Sequence, residues 1–328
     1  MRSAAPVLLF LLALGPASAS AQTPAPAEPP APSSAVPAAT DLGSPVVEAL
    51  EVVAHPPRPP LWRVDKDGSE VVVLGAVKPL PHSLVWDTSQ VERALDGASV
   101  LLVEPKFTVG VFDLIRFKVG GMSVRQEKPL EDTLPSPLRQ AFVAARTAAR
   151  QDAGRYGRLK PYVAAFLLVG DYRNASGLSA AKPDSTVQKL AKAHGVPVRP
   201  VSEYRAATAI KAAGPISEAA GLACLQDGVD QVRLEAAQAE SVAKAWAAGD
   251  LRAVRATYGP APLERCLQQA PNVAVVERGT EDSTRAILEA LGRPGKAVAV
   301  VDLNFLLRAN GVLDRLKAQG ATVTVPQE

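Results

Sequence analysis

Lys78 and Glu104 have both the residue type and the setting for polar chemistry, since each follows an apolar run that reads as a buried strand. The runs are VVVLGAVKPLP at Val71–Pro81 and SVLLVE at Ser99–Glu104. An ammonium and a carboxylate carried to one end of a sheet can pair with each other, hold an ion or grip a polar ligand. Asp184, expected to cap a helical segment at Ser185–Ala193, and Glu203, just past a strand at Val196–Val201, add carboxylates in comparable positions. Other chemistries lack their residues. The sequence has no Gly-x-Ser-x-Gly elbow, and Gly75, Gly120-Gly121 and Gly311 are isolated turn glycines without phosphate-loop spacing. There are three histidines: His55 in a Pro/Ala-rich stretch, His82 four residues past Lys78, and His194 beside Gly195. One imidazole near scattered carboxylates is a weak transition-metal set.

The elements that must position these groups follow from hydrophobic period and turn chemistry. Leu61–Val64, a turn carrying Asp67-Gly68, and Glu70–Gly75 form a hairpin. Asp87 or Thr88 caps a helix running to Asp96, Gly97 stops it, and the Ser99–Glu104 strand follows. Strand, helix and strand in this order make a right-handed crossover with parallel strands, so Lys78 and Glu104 emerge at the same edge of the sheet. From Val111 to about Leu267 the pattern is mainly helical, with segments at Phe112–Val119, from Ser136-Pro137 to about Arg150, and at Pro161–Tyr172. A long Ala-rich helix or helical pair covers Ser217–Ala248, and helices at Asp250–Thr257 and Leu263–Gln269 bring Cys266 back toward Cys224. The last set is a helix at Asp282–Leu291, a strand at Ala297–Val301, a helix through about Gln319 and a strand at Thr322–Val325, which echoes the first unit. The expected fold class is α/β: a sheet core from two similar strand–helix–strand units with a large helical insertion at about 111–267.

Composition sets the address. The 328 residues are 47% hydrophobic and 21% charged, with a formal charge of +3 carried by scattered Lys and Arg, so nucleic acid is discounted as a partner. Arg2, the apolar run Pro6–Leu14 and Ala19-Ser20-Ala21 read as a signal peptide over 1–21. No later segment reads as a transmembrane helix. Residues 22–60, dense in Pro, Ala and Ser, are expected to be a disordered linker before a folded domain at 61–328. The expected location is periplasmic or secreted. The two cysteines, Cys224 and Cys266, are then expected to form a disulfide.

Several short segments together carry a family likeness. They are Pro59-Pro60-Leu61-Trp62-Arg63-Val64; Gly75-Ala76-Val77-Lys78 followed by Leu80-Pro81; and Leu101-Leu102-Val103-Glu104. Lys160-Pro161-Tyr162, Lys182-Pro183-Asp184, Glu203, Arg278-Gly279, and the run Asp302–Arg308 with Gly311 complete the set. In these segments, from about Pro60 to Val325, the chain resembles the TraB/GumN family. That group includes Tiki-type metalloproteases and is similar in fold to erythromycin esterase and haem-binding ChaN-like proteins. The resemblance implies a metal-dependent hydrolase in which the histidines of two Gly-x-x-His motifs, with nearby carboxylates, hold a divalent metal as Lewis acid and water activator. In this chain Lys78 and Phe305 stand at the histidine positions, and Asp302 replaces the second motif's glycine. Neither a protonated lysine nor a phenylalanine offers a metal a lone pair. The resemblance therefore implies a catalytically degenerate member without a cofactor, whose inherited cleft binds a peptide, a lipid-linked or polysaccharide-related ligand, or a protein partner. Lys78 would supply the metal's charge there, with Arg278 as a second cation. A remodelled hydrolase is the alternative, using Glu104, Asp184, Glu203 and Asp302 as an all-oxygen site for Mg²⁺, Ca²⁺ or Mn²⁺. A haem or other cofactor binder is a third reading, which lacks an evident His or Tyr ligand.

Overall fold

Asp67 and Gly68 both take positive φ, 49° and 79°, the backbone a two-residue hairpin turn with the right twist requires. They join β1 (Leu61–Lys66) to β2 (Ser69–Ala76) as the expected hairpin, with pairing that runs up to Lys66 opposite Ser69. The computed structural model describes residues 58–108, 124–205, 216–268 and 275–326, all within one compact unit spanning Ala54–Glu328. The expected signal segment, nearly all of the linker and the Phe112–Val119 helix lie outside the described residues.

The remaining strands are β3 (Leu80–Pro81), β4 (Ala98–Val103), β5 (Lys106–Thr108), β6 (Leu178–Ser179), β7 (Val198–Pro200), β8 (Glu203–Arg205), β9 (Lys296–Asp302) and β10 (Thr322–Thr324). Six of them form one sheet in the order β10-β1-β2-β9-β4-β7. β2, β9, β4 and β7 run parallel to one another, while β1 is antiparallel to both β2 and β10. The fold is α/β. Both expected strand–helix–strand units are present, and neither pairs its own two strands: the first steps over one strand and the second over two. β9 lies between β2 and β4, and β10 reaches the far side of β1. The helix expected through Gln319 is instead two short helices, Leu303–Leu307 and Val312–Ala318, with Gly311 as the N-cap of the second.

Two hydrophobic clusters organise the packing. One surrounds the sheet and includes Trp62, Val73, Leu74, Leu101, Val300 and Trp246. The other is helical, with Leu130, Phe142, Tyr156, Leu168, Leu225 and Val229. A single helix, Glu218–Ala248, serves both. Its 31 residues span about 46 Å, with Leu225 and Val229 in the helical cluster and Trp246 in the sheet cluster. Ser217 caps its start by accepting from the Ala220 amide, and Gly249 ends it in the left-handed conformation at φ 78°. A disulfide joins Cys224 of this helix to Cys266 of the helix Pro262–Gln268, closing a separation of 42 residues.

The long helix is also tied to the end of β2. Trp246 Nε1 donates to the Gly75 carbonyl at 2.7 Å. A Cβ on residue 75 would lie 2.5 Å from a ring carbon of Trp62 and 2.7 Å from Leu303. That proximity explains the glycine, because no side chain fits between two buried neighbours without moving one. Gly75→Ala is expected to destabilise the protein by about 1–3 kcal/mol, the usual cost of overpacking. A shift of the urea midpoint at unchanged m-value would register it.

Candidate functional site

Four of the expected residues meet where the parallel strands end. Lys78 follows β2 by two residues, Asp302 is the last residue of β9, and Glu104 comes directly after β4. Because β9 is inserted between β2 and β4, its terminal carboxylate emerges between the other two strand ends. Asp184 arrives from the helix Asp184–Ala193. It was expected to cap that helix. Instead it is the first helical residue, makes no side-chain cap, and turns its carboxylate to Lys78.

The Lys78 ammonium lies 2.6 Å from Glu104 Oε2 and 2.7 Å from Asp184 Oδ2. The Lys78 side chain is 14% exposed and that of Asp184 is 8% exposed, whereas Glu104 is 38% exposed. The pair with Asp184 is thus the buried one. Asp184 Oδ1 is buried without a hydrogen-bond partner. Behind this pair runs a hydrogen-bonded chain. The Lys78 backbone amide donates to Tyr258 Oη at 3.2 Å, Tyr258 donates to Asp302 Oδ2 at 3.0 Å, and the Asn304 amide donates to Asp302 Oδ1 at 2.8 Å.

Burial and charge act against each other on these groups. Burial alone would lower the Lys78 pKa, but the carboxylates of Asp184 and Glu104 outweigh it and hold the ammonium above its ordinary value. Asp184 is pushed up, chiefly by burial and only partly offset by Lys78. The two directions are compatible, since Lys78 pairs with two carboxylates at once while among the described residues Asp184 pairs with that one ammonium. Burial raises Asp302 to about 6, with the Asn304 amide and Lys78 pulling the other way. Burial and the neighbouring Asp302 carry Tyr258 well above the usual phenol range.

Lys78 stands between two cavities. One of about 190 Å³ is lined by Lys78, Arg173, Gln231, Gln238, Tyr258 and Asp302. The other, about 470 Å³, is lined by Lys78, Glu104, Lys106, Asp184 and Gln188. Polar side chains therefore converge from strand ends and helices on a crevice at the carboxyl end of the sheet, the usual ligand position in an open α/β fold.

The other expected residues lie elsewhere. Glu203 opens β8, pairs in register with Lys106 of β5 in a separate two-stranded sheet, and is exposed. Arg278 is exposed on the helix Val275–Leu291. Phe305 packs against Gly279, where a Cβ would come within 2.8 Å of its ring, and Arg308 lies 5.8 Å from the ring centroid. The His82 imidazole is exposed, with its backbone tied to Gly177 and Lys182. His194 pairs with Asp96 at 2.7 Å. Tyr258 was missed from the sequence. It follows a short helix, Leu251–Thr257, and nothing in its local pattern separates it from an ordinary aromatic at a helix end.

The side chains present do not fit a divalent metal. The ammonium of Lys78 fills the position between Glu104 and Asp184 that a cation would need, and it has no lone pair to give. Among the described residues no three His, Cys, Asp or Glu side chains are arranged to hold a metal ion.

The model of the TraB/PrgY/gumN family matches residues 60–325. No curated protein and no solved structure matches the chain.

Proposed function

Because the chain belongs to the TraB/PrgY/gumN family, we propose that it is an exported, catalytically degenerate member that uses the crevice at the end of its parallel strands for binding. The observation that carries this reading is the Lys78 ammonium seated between Glu104 and Asp184 at 2.6 and 2.7 Å. A fixed positive charge there relieves the repulsion between carboxylates, as a metal would, without activating a water. The bound species is a peptide, an envelope-associated ligand or a protein partner. Export is supported by the Cys224–Cys266 disulfide, a bond that persists in oxidising compartments. No described helix is long and apolar enough to cross a membrane.

Metal analysis tests the reading directly. After exposure to zinc or manganese and dialysis, the purified protein is expected to retain far less than one ion per chain. Lys78→His alone is expected not to create a tight zinc site, because Phe305 still stands at the second histidine position and one imidazole among carboxylates is a weak zinc set. One equivalent of tightly held metal in the unmodified protein, with a hydrolytic activity that disappears on chelation, would overturn it.

A further inference from the structure

At the antiparallel edge of the sheet, away from the Lys78 crevice, one sheet face carries polar side chains over a cavity of about 490 Å³. The strand register explains why. Arg63 lies opposite Val72 on β2 and Thr324 on β10, and Glu70 lies opposite Lys296 on β9. Directly opposed residues share a face, as do residues two apart on a strand. Arg63, Glu70, Val72, Lys296 and Thr324 therefore share one face, while Trp62, Val64, Val71 and Val73 fill the core on the other. The helix Ser89–Leu95 forms one wall through Gln90, Arg93 and Ala94, and Arg58, Pro59 and Pro60 form another.

Charge is unbalanced in this cavity. Among the described residues, four cationic side chains, Arg58, Arg63, Arg93 and Lys296, line it with one carboxylate, Glu70, a surplus of three positive charges. Glu70 is already engaged with Arg63 at 2.5 Å. Two of the other cations are held by neutral oxygens, which fix their position without cancelling their charge. Lys296 Nζ donates to the Arg93 carbonyl at 3.1 Å. With the Gln90 amide oriented so that its oxygen faces Arg58, that oxygen accepts from Arg58 Nε and Nη1, both at 3.0 Å. Asp87 feels Arg93 and Arg58 but is outside the cavity, and its carboxylate accepts from the Ser89 amide at 2.9 Å. The apolar side chains of Leu61, Val72 and Ala94 beside these cations leave room for the carbon skeleton of a ligand.

We infer that this cavity is a binding site for a phosphate-bearing anion, separate from the Lys78 crevice. Guanidinium groups recognise phosphate oxygens in pairs, and the surplus of cations over carboxylates among the described lining residues matches a group carrying two or three negative charges. The site does not depend on the degenerate crevice and stands or falls independently of it.

Two arms separate the possible sources of the phosphate. Inorganic pyrophosphate is titrated calorimetrically as the soluble probe, and cosedimentation with vesicles of phosphatidylglycerol in phosphatidylcholine reports a lipid headgroup. Saturable binding in either arm is expected, weakening with salt. Arg93→Gln and Arg58→Gln are each expected to weaken it by about tenfold or more, while Lys189→Gln, an exposed cation outside the cavity, leaves it unchanged. No binding in both arms overturns the proposal. So does binding that survives both arginine substitutions, or that Lys189→Gln weakens equally.

Discussion

Lys78→Met is expected to cost about 3–5 kcal/mol of stability at pH 7.5, the usual price of stranding one partner of a buried ion pair. The stranded group is Asp184, whose side chain is 8% exposed and whose other oxygen already lacks a partner. Glu104, 38% exposed, recovers solvation and adds little. The pH dependence follows from the sign of the Asp184 shift. Burial holds that carboxyl above its ordinary value even beside Lys78, and without the ammonium it rises further. In the variant the folded state therefore takes up a proton at a higher pH than the unfolded chain, which neutralises the stranded charge. The deficit is full at neutral pH and shrinks as pH falls toward the unfolded carboxyl value. Urea unfolding of both proteins at pH 7.5 and 4.5 measures it, with the midpoints expected to draw together at the lower pH. In an Asp184→Asn background the same substitution is expected to cost much less. A Lys78→Met loss below about 1 kcal/mol at pH 7.5 would class the contact with ordinary surface pairs and remove the observation on which the proposed function rests.

The sequence was informative wherever structure is local. The Asp67-Gly68 turn, the buried β2 run and the Ser99–Glu104 strand each carry their own signal, and the crossover rule puts Lys78 and Glu104 at one edge of the sheet. It was uninformative about strand order. β9 pairs with residues more than 190 positions away, and no local pattern says that it enters between β2 and β4, which puts Asp302 in the middle of the site. Glu203 shows the opposite error. A carboxylate just beyond an apolar run looks like a strand-end ligand, yet Ser202 intervenes and the chain pairs again as β8, directing Glu203 to solvent. Phe305 follows β9 closely, but its ring packs over Gly279, where any side chain on residue 279 would collide with it. Asp184 was expected as a helix cap because an acid before a helix usually serves that role. An ammonium 2.7 Å away satisfies the carboxylate better than the helix amides would.

Asp302→Asn is expected to stabilise the protein at neutral pH, an uncommon result for a substitution at the centre of a polar cluster. Burial raises the folded-state pKa of Asp302 to about 6 from the ordinary carboxyl value of 3.8. A carboxyl raised in this way stabilises the folded state while protonated: its contribution is full below the unfolded value and is lost as pH rises through the folded one. The loss falls between about pH 4 and pH 6 and amounts to about 3 kcal/mol for a shift of this size. Asparagine stays neutral throughout. It keeps the Asn304 contact, with Oδ1 accepting where Asp302 now accepts at 2.8 Å, and it reverses the contact to Tyr258: the hydroxyl that donates to Asp302 Oδ2 at 3.0 Å accepts from Nδ2 in the variant, as it would from the protonated carboxyl. The variant should match the unmodified protein near pH 4 and exceed it by up to about 3 kcal/mol at pH 7.5, as read by urea midpoints across that range. Parallel pH profiles for the two proteins would show that Asp302 is as acidic folded as unfolded. If the gain is found, the chain carries an ionised carboxylate at the floor of its crevice at a cost in stability. Burial-raised groups of this kind cluster at sites that bind or react, because packing alone gives no reason to keep them.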